Sequence, residues 1–208
     1  MTIKECHGLA ERAMQELLQQ VNRRRFGEMN EATLQHHLAL NLHLDTLQAG
    51  RPNIDMMLEK KVKRAEGIFP KKNSKTASID IFFHQDDETK YAIELKCFRK
   101  ANHREPNNRY EAYADLANLE IYLEEHTDAG IFLLVTDHPH YFDNSFRPHS
   151  AKASDFSLRD GHRYEAGRVL SYKTSKPHGA DLTLRKGYNF NWQNQGHAWR
   201  GLVIRVDK

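Results

Sequence analysis

The chain has only two cysteines, Cys6 and Cys97, in 208 residues. Two thiols provide neither a disulfide framework nor a four-cysteine metal site, so a reduced, cytoplasmic protein is expected. Long apolar runs are also missing. None approaches the roughly 18 residues that a membrane span requires, so no membrane partner is expected. The first nine residues carry Lys4, Glu5 and His7 and contain no apolar block, which argues against a secretory leader. Glycines are scattered, with Gly50, Gly67 and Gly130 isolated, so there is no phosphate-cradling loop. No Gly-x-Ser-x-Gly nucleophile elbow is present. The 13 histidines include no His-x-x-x-His pair with a third ligand, the signature of a zinc hydrolase.

Charge is abundant but nearly balanced, with 31 Lys/Arg against 28 Asp/Glu. Mean hydropathy is −0.78, so the surface must be heavily charged. The balance is uneven along the chain. Residues 145–208 hold 12 Lys/Arg and 5 Asp/Glu, whereas residues 1–144 hold 19 and 23. An acidic front and a basic tail suit a protein that holds cations in one place and polyanions in another. A plain solvated surface would look the same.

The spacing of Ala10, Met14, Leu17 and Val21 predicts an amphipathic helix over about residues 5–24. Asn30 is a candidate N-cap for a second helix that starts at Glu31, carries Leu34, Leu38 and Leu42, and ends near Leu47 before Gly50 and Pro52. Ile54 to Val62 reads as a strand, followed by a basic loop containing Lys60, Lys61, Lys63, Arg64, Lys71, Lys72 and Lys75. Ser78 to His84 and Tyr91 to Phe98 read as a hairpin around the turn-like residues 85–89. A helix is expected over about residues 108–126, then a buried strand from Ile131 to Thr136. Residues 138–180 suggest long loops, and short strands are expected near Tyr188–Trp192 and Leu202–Val206. This order predicts one α/β domain spanning residues 1–208, with a central mixed β-sheet flanked by helices. Its core covers about residues 28–137, and a basic, β-rich C-terminal extension covers about 145–208.

Side chains alternate across a strand, so the hairpin register decides which residues meet. Pairing Ile81 with Ile93 sets Ile79 opposite Leu95 and Phe83 opposite Tyr91, gathering six apolar residues on one face. The same register sets Asp80 opposite Glu94 on the other face, with Lys96 beside them and His84 further along. A one-residue slip would mix apolar and charged side chains, so burial selects the first register. Two adjacent acids repel unless a cation joins them. Lys96 supplies one positive charge, and a divalent metal held by carboxylate oxygens would supply the rest. The ordinary alternative is a solvent-facing Asp–Glu–Lys cluster. Arg99, Lys100, Arg104 and Arg109 flank the end of this strand, where they read either as phosphate contacts or as a basic surface loop. Arg109, Tyr113 and Asp115 open the following helix, from which they could reach the site. Arg185 and Lys186 represent the basic tail as further nucleic-acid contacts. Tyr188, Phe190, Trp192 and Trp199 in that tail could stack bases or pack in a core.

The segments Ser78-Ile79-Asp80-Ile81 and Ile93-Glu94-Leu95-Lys96 resemble the PD-(D/E)xK nuclease superfamily, which has the restriction-endonuclease-like fold. The resemblance covers about residues 28–137. Ile79 stands where the family name has its proline. The resemblance implies that Asp80, Glu94 and the Leu95 backbone carbonyl hold Mg²⁺ or Mn²⁺. It further implies that Lys96 positions and helps deprotonate the attacking water, and that Glu31 orients metal-bound water or binds a second ion. The implied activity is phosphodiester hydrolysis in DNA, with RNA as another substrate class. A catalytically inactive DNA-binding or interaction module of the same fold is the alternative. Assembly as a homodimer is left open.

Overall fold

The protein, seen in a computed structural model, is described over residues 1–27, 29–51, 53–85, 88–146 and 151–208. Pro52 and the Asp86–Asp87 part of the expected hairpin turn lie outside the described residues, as does Arg147 of the basic tail. Helix α1 spans Ile3–Asn22 and begins with a capping box: Thr2 accepts from the Glu5 N–H, while the Glu5 carboxylate accepts from the Thr2 N–H. Helix α2 spans Glu31–Gln48, and the Asn30 side chain accepts from the Thr33 N–H. The two helices pack together on one side of the sheet. Their buried residues Met14, Leu17, Leu34, Leu38 and Leu42 meet Ile81, Ile93 and Leu95.

Strands β1 (Ile54–Lys63), β2 (Thr76–Gln85), β3 (Tyr91–Phe98) and β4 (Ala129–Thr136) come next, with α3 (Glu105–Glu125) connecting β3 to β4. A short α4 (Pro139–Phe142) precedes the tail strands. These are β5 (His162–Tyr164), β6 (Val169–Leu170), β7 (Leu182–Thr183), β8 (Tyr188–Phe190), β9 (Trp192–Gln193) and β10 (Arg200–Asp207). The six-stranded sheet has the order β1-β2-β3-β4-β10-β9. Strands β3 and β4 are parallel and the other pairs are antiparallel. A parallel pair needs a crossover, and α3 provides it on the face opposite α1 and α2. Because both faces are covered, every residue of β3 and β4 is buried.

The tail belongs to this core. Strand β10 lies inside the sheet between β4 and β9. Tyr188, Phe190 and Trp192 pack with α3 residues in the same hydrophobic cluster. Tyr113 stacks on Phe190 at a centroid distance of 5.3 Å. These tail aromatics therefore serve packing, and Trp199 is a partly buried neighbour of the opposite cluster.

Arg109 requires a correction. Expected at a nucleic-acid surface, it is fully buried. Its guanidinium pairs with Glu105 one turn earlier and donates to the Ala153 and Phe156 carbonyls at 2.8 and 3.2 Å. It thus pins the segment after residue 150 against α3. Removing one member of a buried pair leaves the other in low dielectric. Arg109→Met is expected to cost about 3–5 kcal/mol, lowering the melting temperature by about 6–20 °C. Thermal denaturation checks this, and a change of less than a degree would mean that Arg109 anchors nothing.

Candidate active site

The β2–β3 ladder has the register that burial selected, with Ile81 opposite Ile93, Phe82 opposite Ala92 and Phe83 opposite Tyr91. It does not continue to Asp80 and Glu94. There the Asp80 Oδ2 accepts the Leu95 N–H at 2.7 Å, taking a donor that a regular ladder would give to a backbone carbonyl. On the other side of β2 the β1 pairing skips the Glu59–Asp80 position, where Glu59 has a left-handed φ of 52°. Strand β2 turns at this point, which corrects one expectation. Ile79 does not share the face of Ile81 and Phe83; it packs with Phe82 and Ala92 on the α3 side. The face holding Asp80 and Glu94 is covered by α3 and is no solvent-facing surface.

Five elements converge here: α2, the 3₁₀ turn between β1 and β2, β2, β3 and α3. Glu94, 1% exposed, comes from β3, and its Oε1 accepts from the Tyr122 hydroxyl of α3 at 3.1 Å. Lys96 lies two residues further along the same strand. Its Nζ is 3.0 Å from Glu31 Oε1, 3.4 Å from Asp115 Oδ2 and 3.7 Å from Asp80 Oδ2, and it donates to the Leu95 carbonyl at 2.7 Å. Asp115 of α3, with no exposed surface, also pairs with Lys71 at 2.6 Å. Lys71 sits in a 3₁₀ turn over Pro70–Lys72 between β1 and β2. From α2, Gln35 Nε2 donates to the Asp80 carbonyl at 2.6 Å and to Glu59 at 3.1 Å, holding the turn in β2.

The electrostatics follow from this crowding. Burial raises the Glu94 carboxyl well above its ordinary value, and Asp80 and Asp115 push it further. Burial also raises Asp80, against the opposing pull of Lys96. For Lys96, burial lowers the pKa, but Asp115, Asp80, Glu31 and Glu94 together hold it well above the ordinary lysine value. For Lys71 too, burial lowers the pKa, but Asp115 and Glu94 together hold it above the ordinary lysine value.

Two contiguous clefts open onto the cluster. One, of about 270 Å³, is lined by residues including Glu59, Lys61, Ser78, Asp80 and Asn118. The other, of about 390 Å³, is lined by Lys96, Arg99, Asn102, Arg104 and others. Glu31 and Lys71 line both. Arg99 and Arg104 therefore stand at the mouth of the site, Arg99 donating to the Met29 carbonyl and Arg104 pairing with Glu111. Lys100 is exposed on the adjacent turn but lines neither cleft. Arg185 and Lys186 line neither cleft: Arg185 pairs with Glu124, and Lys186 donates to the Asp207 carbonyl. His84, at 3.3 Å from Asp55, contacts none of the site residues among those described.

Several residues of the site lacked a strong sequence signal. In the sequence Asp115 stands out only as one of three residues near a helix start within reach of the site, and Lys71 only as one of many lysines in a basic loop. Tyr122 and Asn118 had none, although both are buried polar groups on the same face of α3 as Asp115. Among the described residues no three His, Cys, Asp or Glu side chains form a ready-made metal cluster. The oxygen atoms available to hold a divalent ion, should one bind, include those of the Asp80 and Glu94 carboxylates and the Leu95 carbonyl. Also among the described residues, no helix is long and apolar enough to cross a membrane.

No family model and no curated protein matches the chain. It is similar to one solved structure, described as "Crystal structure of SSO0001", at 20% sequence identity over 49% of its own length. The chain spans about half of that protein, 47%, and the TM-score is 0.27, too low to define either fold or function.

Proposed function

We propose that the chain is a divalent-metal-dependent nuclease with the restriction-endonuclease-like fold, hydrolysing phosphodiester bonds in DNA at a site built from Asp80, Glu94 and Lys96. The observation that carries this reading is the position of the Lys96 ammonium. It lies against the Leu95 carbonyl and among Glu31, Asp80 and Asp115, a cation among oxygen atoms suited to Mg²⁺ or Mn²⁺. Counting Glu94 and Lys71, four carboxylates face two ammonium groups, so the fully ionised cluster lacks two positive charges. That deficit and the hard oxygen donors fit one divalent ion, held by Asp80, Glu94 and the Leu95 carbonyl.

When bound, such an ion supplies charge neutralisation at a phosphate and a water acidic enough to react near neutral pH. The chain's own residues supply the positioning. Tyr122 fixes the rotamer of Glu94, and Gln35 with the Leu95 N–H fixes Asp80. Lys96, its proton held by the surrounding carboxylates, acts as a hydrogen-bond donor to the attacking water and the phosphate. Glu31 orients the Lys96 ammonium. Arg99 and Arg104 provide positive charge for the phosphate backbone at the cleft mouth.

Calorimetry with Mn²⁺ on the wild type and on Asp80→Ala tests the reading, together with cleavage of linear, supercoiled and single-stranded DNA and of RNA. Wild type is expected to bind the ion and cut DNA, and Asp80→Ala to lose both. RNA cleavage alone would move the substrate class. A wild type that binds nucleic acid but neither binds Mn²⁺ nor cuts would leave the inactive binding module as the better reading.

A further inference from the structure

The nuclease reading, on which this inference rests, leaves Lys71 without a role. Its loop is built to present it. Phe69, 1% exposed, packs on the Tyr122 ring at a centroid distance of 5.5 Å. Phe69 and Ser74 exchange backbone hydrogen bonds, closing the loop at its base. Pro70 opens the 3₁₀ turn, and Asn73 ends it in the left-handed region at φ 47°. A lysine so constrained is placed by the fold and does not wander over the surface. Its ammonium ends 2.6 Å from Asp115 Oδ1, on the wall shared by both clefts. An ammonium carries three donors, and among the described residues Asp115 is its one ion-pair partner.

We propose that Lys71 contacts the substrate phosphate directly, and that Asp115 is a positioning residue that holds Lys71 and Lys96 on either side of it. Asp115 fits that task because it lies between the two ammonium groups, at 2.6 and 3.4 Å. Charge counting supports the assignment. With all four carboxylates ionised and one divalent ion bound, two lysines make the cluster neutral. Without Lys71 the ion-loaded cluster carries one negative charge and repels a phosphodiester. The Lys71 ammonium also repels a divalent ion held at the neighbouring Asp80 and Glu94, so its removal moves the two affinities in opposite directions. A lysine that merely braced the fold would not do so.

The test uses the full chain as wild type, Lys71→Met and Lys71→Arg. Mn²⁺ affinity is measured by calorimetry, and binding of a short fluorescent duplex is measured in EDTA across a salt series. Lys71→Met is expected to bind Mn²⁺ more tightly and the duplex about tenfold more weakly, with the salt slope reduced by about one. Lys71→Arg, which keeps the charge, is expected to retain duplex binding. If Lys71→Met fails to fold, Lys71→Gln, which still donates to Asp115, takes its place in the same comparison. Unchanged duplex affinity and salt slope in a folded Lys71→Met or Lys71→Gln would overturn the inference, even where wild type cuts DNA normally. A wild type that neither binds Mn²⁺ nor cuts would overturn the nuclease reading instead, while the duplex arm still decides for or against the Lys71 contact.

Discussion

Glu94→Gln is expected to raise the melting temperature at neutral pH while abolishing divalent-ion binding and cleavage. The carboxyl is buried beside Asp80 and Asp115, and its pKa is raised well above 4.5 by burial first and by those acids second. A raised acid binds its proton more tightly in the folded chain than in the unfolded one, so ionising it opposes folding. The penalty is absent below the ordinary value of 4.5. It grows as pH rises through the window above that value and is fully present beyond the folded-state pKa. Asp80, also raised, adds a penalty of the same sign above 3.8. Glutamine keeps an oxygen for the Tyr122 hydroxyl and removes the charge. Wild type and variant should therefore converge in acid and separate toward neutrality, with the variant more stable. Each kcal/mol of relieved repulsion is worth about 2–4 °C in a chain of this size. Melting curves across pH, paired with Mn²⁺ calorimetry, make the comparison. A variant less stable than wild type at neutral pH, yet with full ion binding, would remove Glu94 from the site. Stability exchanged for a charged, strained cluster is a common cost of an active centre.

Lys96→Met should have the opposite signature. The ammonium is the shared partner of Glu31, Asp80 and Asp115 and is almost without exposed surface. Its loss leaves buried carboxylates short of a counter-charge, which costs about 3–5 kcal/mol in EDTA. Mn²⁺ should recover much of that loss, and its affinity should rise by about tenfold or more, because a competing charge within 4 Å is gone. Single-turnover cleavage should fall by about 10²–10⁴-fold, the usual worth of a positioned proton donor or acceptor. DNA affinity should fall little, since one phosphate contact among several changes the salt slope by about one. Full cleavage by Lys96→Met would end the catalytic assignment, whatever happened to its stability.

Much of the architecture was legible because it depends on short-range periodicity. The four-residue spacing of Leu34, Leu38 and Leu42 allows only one buried helix face. The Asn30 cap follows from a local hydrogen bond, and the helix starts at Glu31 as expected. The apolar alternation in Ile81, Phe83, Tyr91 and Ile93 allows one register, the one observed. The α3 helix begins three residues earlier than expected, at Glu105, because Pro106 is tolerated in a first turn where no N–H partner is required.

The rest depended on partners distant in sequence. Alternation carried Ile79 to the wrong face, since nothing local announces that the Asp80 carboxylate will take the Leu95 N–H and turn the strand. Arg109 reads as a surface cation until residues 153 and 156, more than forty positions away, offer their carbonyls. Lys71 and Asp115 are commonplace residues that meet only because α3 crosses over the β1–β2 loop.

By itself, then, the sequence determined helices α1 to α3 and strands β1 to β4 and β10, though not the short α4, β5 and β6 within the stretch read as loops, together with the pairing of β2 with β3 and the shared neighbourhood of Asp80, Glu94 and Lys96, because each is a matter of period, capping or strand alternation. Only the tertiary structure decided that this neighbourhood is buried, that Glu31, Asp115, Lys71 and Tyr122 complete it, and that Arg109 serves the core. Burial and long-range charge pairing depend on which elements are packed against one another, and no local pattern records that.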